Sequence, residues 1–169
     1  VRELIDSLKN AGARELLGKA IDIEGEIFGK DSYKIAIAKN NLGNLEQKLG
    51  KHLEAEKAYK EALELDMKYF GKNHQNVATR LNNIATLLAA QQRYDEAAQK
   101  FAEALKIDEE VLGVDSMDVA QDLNNLATAL GDAEKYAEAE PYFERAIKIA
   151  EDTFGKDHVE VAANLHNYA

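Results

Sequence analysis

The sequence contains no cysteine, and this absence removes several classes of protein at once. Without thiols there is no disulfide framework, no thiolate metal site, no haem-attachment motif and no cysteine nucleophile. Only one proline occurs, whereas Ala, Leu, Glu and Lys are abundant, so the composition is typical of a mainly helical protein. No apolar run approaches the length of about 18 residues that a membrane-spanning helix needs.

Positive charge is also scarce, with 21 Lys and Arg against 31 Asp and Glu and a net charge of −10. A nucleic-acid binder normally carries a basic stripe that neutralises phosphates, and an anionic membrane surface attracts basic segments. The sequence therefore predicts neither a nucleic-acid partner nor a membrane partner. With 46% hydrophobic residues, the 169 residues are enough to bury a sizeable core.

Glycine recurs every 42 residues, at Gly29, Gly71, Gly113 and Gly155. A period of this length predicts a stacked repeat architecture. We divide the chain into a partial repeat over 1–28 that ends in a second helix, complete repeats over 29–70, 71–112 and 113–154, and the start of a further repeat over 155–169. The whole chain is thus predicted to be a single array, cut from a longer one.

Each repeat is expected to hold two helices, A and B. Polar residues after each glycine can cap helix A, at Asp31-Ser32, Asn73-His74, Asp115-Ser116 and Asp157-His158. Apolar spacing predicts A helices over about 33–49, 75–91 and 117–132. Helix B is expected to end at Phe28, Phe70, Leu112 and Phe154, just before each repeat glycine. Lys39 and Glu46 stand where the other repeats have leucine, so the first complete repeat is expected to pack differently.

Small and aromatic residues recur in a fixed order in both helices. Helix A has Leu42-Gly43, Ile84-Ala85 and Leu126-Ala127; the turn has Tyr94 and Tyr136; helix B has Ala55, Tyr59 and Ala62 with their equivalents downstream. This pattern resembles the tetratricopeptide repeat, and the 42-residue period with the LNNLA phrase is similar to its kinesin-light-chain-like branch. The resemblance implies an all-α, right-handed superhelix, an α-solenoid of antiparallel helix pairs whose A helices line a concave groove.

No enzyme signature is present. The segment from Gly12 to Lys19 has one residue too many for a phosphate loop, and Ala20 stands where Ser or Thr should bind Mg²⁺. The four histidines form no metal-binding motif, and acidic pairs such as Glu109-Glu110 fit a solvated helix face. We therefore expect a non-enzymatic protein that needs no cofactor and no metal.

An Asn-Asn pair occupies the same point of every complete helix A, although Asn costs up to about 0.7 kcal/mol relative to Ala inside a helix. A row of carboxamides can pair with the backbone of an extended peptide, or one Asn of each pair can bond a neighbouring helix and fix the stacking. We favour ligand contact more for Asn41, Asn83 and Asn125. The candidate peptide-binding residues are Asn40, Asn41, Asn44, Lys48, Arg80, Asn82, Asn83, Thr86, Asn124, Asn125, Thr128 and Asn167.

The predicted function is therefore binding of an extended segment of a partner protein in the groove, as an adaptor or scaffold. Kinesin light chains bind acidic peptides in a basic groove, but this floor is mostly neutral, with Lys48 opposed by Asp132 and with Arg80 near its rim. One alternative is a structural array that self-associates through apolar residues such as Leu4, Leu165 and Tyr168. Another is a regulatory region for a separate effector domain. The predicted state is a monomer or a weak self-associate, and the lack of cysteine favours the cytoplasm.

Overall fold

The computed structural model describes the backbone of residues 2–156 and 158–168, and the side chains of residues 10–156, 158–159 and 161–168. Within this part the chain is all-α, and no strand occurs. The helices are α1 (Arg2–Phe28), α2 (Tyr33–Lys48), α3 (His52–Phe70), α4 (Gln75–Ala90), α5 (Tyr94–Leu112), α6 (Met117–Asp132), α7 (Tyr136–Phe154) and α8 (Val159–Tyr168). The predicted bounds of the A helices, α2, α4 and α6, are confirmed to within one residue. None of the described helices is long and apolar enough to cross a membrane.

The helix ends follow the predicted caps. The side chains of Ser32, His74 and Ser116 each accept a hydrogen bond from a backbone N–H in the first turn of an A helix, at 3.1–3.2 Å. This bond satisfies one of the N–H groups that a helix start leaves without a partner. The fourth predicted cap includes Asp157, which lies outside the described residues. At the other end, the repeat glycines have φ between 83° and 90°, a conformation that a residue with a Cβ rarely adopts.

The chain divides into two compact units, Val1–Lys72 (unit 1) and Asn73–Ala169 (unit 2). In unit 1, α2 packs against both α1 and α3. The close approach of α2 to α3 depends on Gly43, because a Cβ built there would lie 2.5 Å from Cε1 of the Tyr59 ring. That ring is fully buried, and its hydroxyl lies 2.7 Å from Asn44 Oδ1 and 2.8 Å from Gln47 Oε1.

Unit 1 differs from the other repeats at the two expected positions. Glu46 is only 1% exposed, and its carboxylate forms an ion pair with Arg14 of α1, with Nε and Oε1 2.6 Å apart. Lys39 forms an ion pair with Glu61 of α3. Charged contacts thus replace the leucine packing that α4 and α6 use at the same positions, as the sequence predicted.

In unit 2, each helix from α4 to α8 packs against the next along the chain, and α6 also contacts α8. Small residues form the interfaces, since Ala85, Ala97, Ala127 and Ala139 are at most 3% exposed. Phe101 and Phe143, the aromatic residues of successive repeats, are 5% and 7% exposed. The burial of these residues indicates that the small and aromatic columns form the core of unit 2.

Candidate functional site

The first asparagine of each pair joins neighbouring A helices in unit 2. Asn82 Nδ2 donates to Asp122 Oδ1 on α6 at 2.6 Å, and Asn124 Nδ2 donates to Asn164 Oδ1 on α8. Asn164 in turn donates to the carbonyl of Ala146 at 3.3 Å. Both bonds connect a residue with the one forty positions later, so this column fixes the stacking of successive repeats.

The bond from Asn82 ends in a pair of buried carboxyl groups. Asp122 on α6 and Asp108 on α5 are 2% and 5% exposed. Burial raises the pKa of Asp122 to about 7; the hydrogen bond from Asn82 opposes this rise, and the charge of Asp108 adds to it. Burial also raises the pKa of Asp108, although its hydrogen bond with Asp122 opposes the change. Near neutral pH, therefore, the two groups can share a proton, with the Asp122 carboxyl donating to Asp108.

The second asparagine of each pair lies on an exposed or half-exposed stripe of helix A. In unit 2 we define the unit 2 stripe as Asn76, Thr79, Asn83, Thr86 and Ala90 on α4, Asp118, Gln121, Asn125, Thr128 and Asp132 on α6, and Ala163 and Asn167 on α8. The bonds from Asn82 and Asn124 link α4 to α6 and α6 to α8, the three helices that carry this stripe. Asn125 Oδ1 accepts from Gln121 Nε2 at 3.1 Å, which orients one carboxamide within the stripe.

The corresponding stripe of unit 1 lies on α2. It consists of Lys34, Ile37, Asn41, Asn44 and Lys48, all exposed or half-exposed. The Asn44 carboxamide accepts from the Tyr59 hydroxyl, which leaves its amino group directed away from that bond. Unit 1 thus presents the predicted residues Asn41, Asn44 and Lys48 at its surface.

Other predicted site residues lie elsewhere. Arg80 is 7% exposed, so its side chain is not at an open rim, and it shares a repeat position with the buried Asp122 and Asn164. Asn40 and Asn124 are 8% and 5% exposed, which is too buried for a residue that should contact a ligand. We therefore exclude these three from the candidate surface. Asn82 is half-exposed, but its amide is already bonded to Asp122, so we exclude it as well.

A recess of about 780 Å³ opens beside the unit 2 stripe, between α6, α7 and α8. From the stripe, Thr128, Asp132 and Asn167 reach its wall. The opposite wall carries Glu140 of α7 and the rings of Tyr136, Phe143 and Tyr168. The Tyr168 hydroxyl donates to Glu140 Oε1 at 3.0 Å, and Tyr136 is 68% exposed. We call this cavity the end recess.

Sequence reasoning missed the helix B residues of the end recess. Tyr136 and its equivalent Tyr94 marked the turn between helices, but nothing in that position indicated that one ring would line a cavity. No sequence motif marked Glu140. Among the described residues, no group of three or more His, Asp or Glu side chains is arranged to hold a metal ion.

Comparison with known families fits this architecture. Two sequence models of the tetratricopeptide repeat match the chain, over residues 34–110 and 119–160. The chain belongs to the tetratricopeptide repeat (TPR) family. No curated protein sequence matches this TPR chain at a significant level. TPR repeats generally serve protein–protein interaction, which is the function class that the family supports.

Solved structures show the same fold. BtubC (BKLC) from P. vanneervenii is 30% identical with a TM-score of 0.80, over 87% of this TPR chain and 59% of that chain. Nearly identical TPR-like repeats of a Podosopora anserina kinesin-light-chain candidate are 18% identical with a TM-score of 0.81, over 99% and 79%. The N-terminal domain of stress-induced protein-1 from C. elegans is 21% identical with a TM-score of 0.62, over 81% and 97%. The repeats are thus of the kinesin-light-chain-like type within an α-solenoid fold, and the chain spans 59% of the BtubC chain.

Proposed function

We propose that the chain binds an extended segment of a partner protein along its A-helix stripes, as an adaptor or scaffold and without catalysis. The observation that carries the proposal is a difference between the first and the second asparagine of each pair in unit 2, which we call the first and the second column. The first column is used for stacking, through Asn82 and Asn124. The second column recurs with the same period, yet it lies on the surface.

An asparagine inside a helix lowers helix stability relative to alanine, so a recurring surface asparagine needs a compensating gain. The hydrogen bonds between repeats compensate for that loss in the first column. Because Asn41, Asn83 and Asn125 are exposed or half-exposed, we propose that they contact a ligand. A carboxamide both donates and accepts, so a row of them can bond the N–H and C=O groups of an extended backbone whatever its side chains. The neighbouring hydroxyls of Thr86 and Thr128 add two more polar groups.

The test is peptide display on the parent chain and on a triple variant, Asn41→Ala, Asn83→Ala and Asn125→Ala. We expect enriched peptides to bind the variant at least about tenfold more weakly, which is about 1.4 kcal/mol. The matched control is a triple variant in an exposed column of the B helices, Glu64→Ala, Lys106→Ala and Lys148→Ala, which should bind like the parent. Circular dichroism should show equal helicity in all three proteins. Unchanged binding by the asparagine variant would contradict the proposal.

Self-association is the second candidate, and exposed apolar side chains favour it. On α1, Leu16 and Ile27 are 67% and 64% exposed, and Val159 and Leu165 are exposed on α8. The side chain of Leu4 lies outside the described residues. Light scattering across a concentration series distinguishes the two candidates, because a mass that stays at 18.7 kDa at high concentration rejects self-association.

A further inference from the structure

A buried hydroxyl lies beneath the stripe of unit 1, and the later repeats have no hydroxyl at this position. The ring of Tyr59 is 1% exposed, and its hydroxyl lies 2.7 Å from Oδ1 of the exposed Asn44 and 2.8 Å from Oε1 of Gln47. Phe101 and Phe143 stand at the position of Tyr59 in the two later repeats. A phenylalanine therefore fills this position, and packing alone does not require the oxygen.

Three positions around this hydroxyl also differ from the later repeats. Gly43 replaces the alanine of those repeats, and a Cβ built there would lie 2.5 Å from the Tyr59 ring. Asn44 replaces threonine, and Gln47 stands where the later repeats have alanine and glycine. The glycine thus lets the ring approach α2, where the two amides meet its hydroxyl. Four differences that occur together at one point form a local arrangement specific to this repeat.

The Tyr59 hydroxyl determines which end of the Asn44 amide remains available. A phenol has one proton to donate, and its oxygen can also accept. Asn44 Oδ1, the nearer of the two oxygens, receives the proton, and the Gln47 amide can turn to donate to the phenol oxygen. Burial raises the pKa of Tyr59 to about 12, so the hydroxyl keeps its proton at neutral pH. The Asn44 amino group is left directed away from this bond, on the exposed stripe.

The exposure of Asn44 is a property of its position in the repeat. Thr86 and Thr128 hold the same position on α4 and α6, and both are exposed as well. Asn41 lies three residues before Asn44 and Lys48 lies four residues after it, so all three share one face of α2. The stripe of unit 1 therefore offers amide and ammonium N–H groups and carries no carboxylate.

We propose that Tyr59 is a positioning residue for ligand binding, which holds the Asn44 carboxamide so that its amino group donates to a carbonyl or carboxylate oxygen of the bound segment. The inference rests on the proposed function, because it assigns a role to a residue beneath the same surface. A carboxamide that rotates freely presents either its oxygen or its amino group, whereas a fixed one selects acceptors. The polarity is reversed on α4, where Thr86 donates to the Asn82 carbonyl at 2.9 Å and keeps its oxygen to accept.

The first experiment tests the donor. It uses a display-selected peptide that binds the parent chain and loses affinity for the triple asparagine variant, and it measures binding by fluorescence anisotropy. We expect Asn44→Ala to bind this peptide about fivefold more weakly. Asn44→Asp should lose about as much, because its carboxylate still accepts from Tyr59 but has no amino group to offer.

The second experiment tests the positioning hydroxyl. Tyr59→Phe removes only that hydroxyl and introduces the residue of the later repeats, and it should weaken binding about threefold. The double variant with Asn44→Ala should bind no more weakly than Asn44→Ala alone, because the hydroxyl acts through that amide. The matched control is Tyr142→Phe, which removes a hydroxyl from a half-buried ring of α7 outside both stripes and should bind like the parent.

A spectroscopic measurement separates positioning from a purely structural bond. In proton–nitrogen correlation spectra, the side-chain amide signals of Asn44 are identified by their absence in Asn44→Ala. These signals should shift when the peptide is added to the parent chain, and they should already be displaced in peptide-free Tyr59→Phe. A hydroxyl with a structural role alone would leave the Asn44 signals unchanged by the peptide.

The outcomes distinguish this inference from the proposed function. If the peptide binds Asn44→Ala, Asn44→Asp or Tyr59→Phe as tightly as the parent, the inference is overturned while binding at the asparagine column stands. Additive losses in the double variant would also overturn it, because Tyr59 would then act independently of Asn44. If no peptide enriches, or if none loses affinity for the triple asparagine variant, both proposals are overturned.

Discussion

The buried pair of Asp108 and Asp122 makes the stability of unit 2 depend on pH, and the substitution Asp122→Asn tests this. The groups that shift the pKa of Asp122 are Asn82 from α4, Asp108 from α5 and Asp118 from the same helix. None of these three carries a positive charge. Burial and the Asp108 charge therefore favour a proton on Asp122 up to about pH 7.

The sign follows from the direction of the shift. The pKa of Asp122 is raised from 3.8 to about 7 in the folded chain, so between these values the native state holds a proton that the unfolded state has released. Its contribution to stability is complete below pH 3.8 and is lost as the pH rises through about 7. Between pH 5 and pH 8 this single group should lower the free energy of unfolding by about 2.5 kcal/mol.

An asparagine at position 122 keeps both hydrogen bonds at every pH. Its Oδ1 can still accept from Asn82, and its Nδ2 can donate to the Asp108 carboxylate. We therefore expect Asp122→Asn to match the parent near pH 5 and to exceed its free energy of unfolding by about 2 kcal/mol at pH 8. Urea unfolding followed by circular dichroism at several pH values measures this difference.

The control variant is Asp115→Asn, which removes an exposed carboxylate from the same unit. It accounts for the general relief of repulsion in an acidic unit, and its pH dependence should follow that of the parent. If Asp122→Asn shows the same slope with pH as the parent, then Asp122 is ionised in the native state and the reasoning fails. Lower stability of the variant at pH 8 would refute it more directly.

Other substitutions test packing. Gly43→Ala should lower the free energy of unfolding by about 1 kcal/mol because its Cβ meets ring atoms of the buried Tyr59, and the loss should be smaller in a Tyr59→Leu background, which lacks those atoms; additive losses in a double-mutant cycle would contradict this. Glu46→Leu introduces the residue of the later repeats and should leave stability unchanged or raise it by about 1 kcal/mol; a loss above about 2 kcal/mol in urea unfolding would show that the Arg14 ion pair is net stabilising. Gln92→Gly should stabilise by roughly 0.5–1 kcal/mol because φ is 61°, and a lower melting temperature would be inconsistent with strain there.

The fold could be predicted from the sequence because the residues that determine it recur in every repeat. A glycine with φ near 85° must end each helix B, and the capping residue must start each helix A, so both recur every 42 residues. The different packing of the first complete repeat could also be predicted, since Lys39 and Glu46 interrupt leucine columns and the structure gives both of them ionic partners. A structural requirement that recurs in every repeat produces a residue that recurs with the same period, whatever partner the protein binds.

The site was less accessible, because adjacent residues in a helix point to different neighbours. Asn82 and Asn83 are equally regular in sequence, and only the packing shows that the first bonds Asp122 while the second lies on the stripe. Periodicity also could not show that Arg80 is buried, since its position holds Ala38, Asp122 and Asn164 in the other repeats. The residue at this position depends on its partners at one junction between repeats, so it shows no pattern that is common to all repeats.

The repeat position that holds Asp122 and Asn164 differs in chemistry between the two junctions of unit 2. At the junction of α4 with α6, the Asn82 amide bonds Asp122, which is paired with Asp108. At the junction of α6 with α8, the Asn124 amide bonds Asn164, and Ala150 occupies the repeat position of Asp108. The first junction therefore needs a proton to be neutral, whereas the second is neutral at any pH. If loss of that proton moves α4 away from α6, then Asn83 on α4 and Asn125 on α6 also move apart. Peptide affinity should then weaken above pH 7 in the parent and stay constant in Asp122→Asn, which connects the stacking column to the binding column through one titratable group.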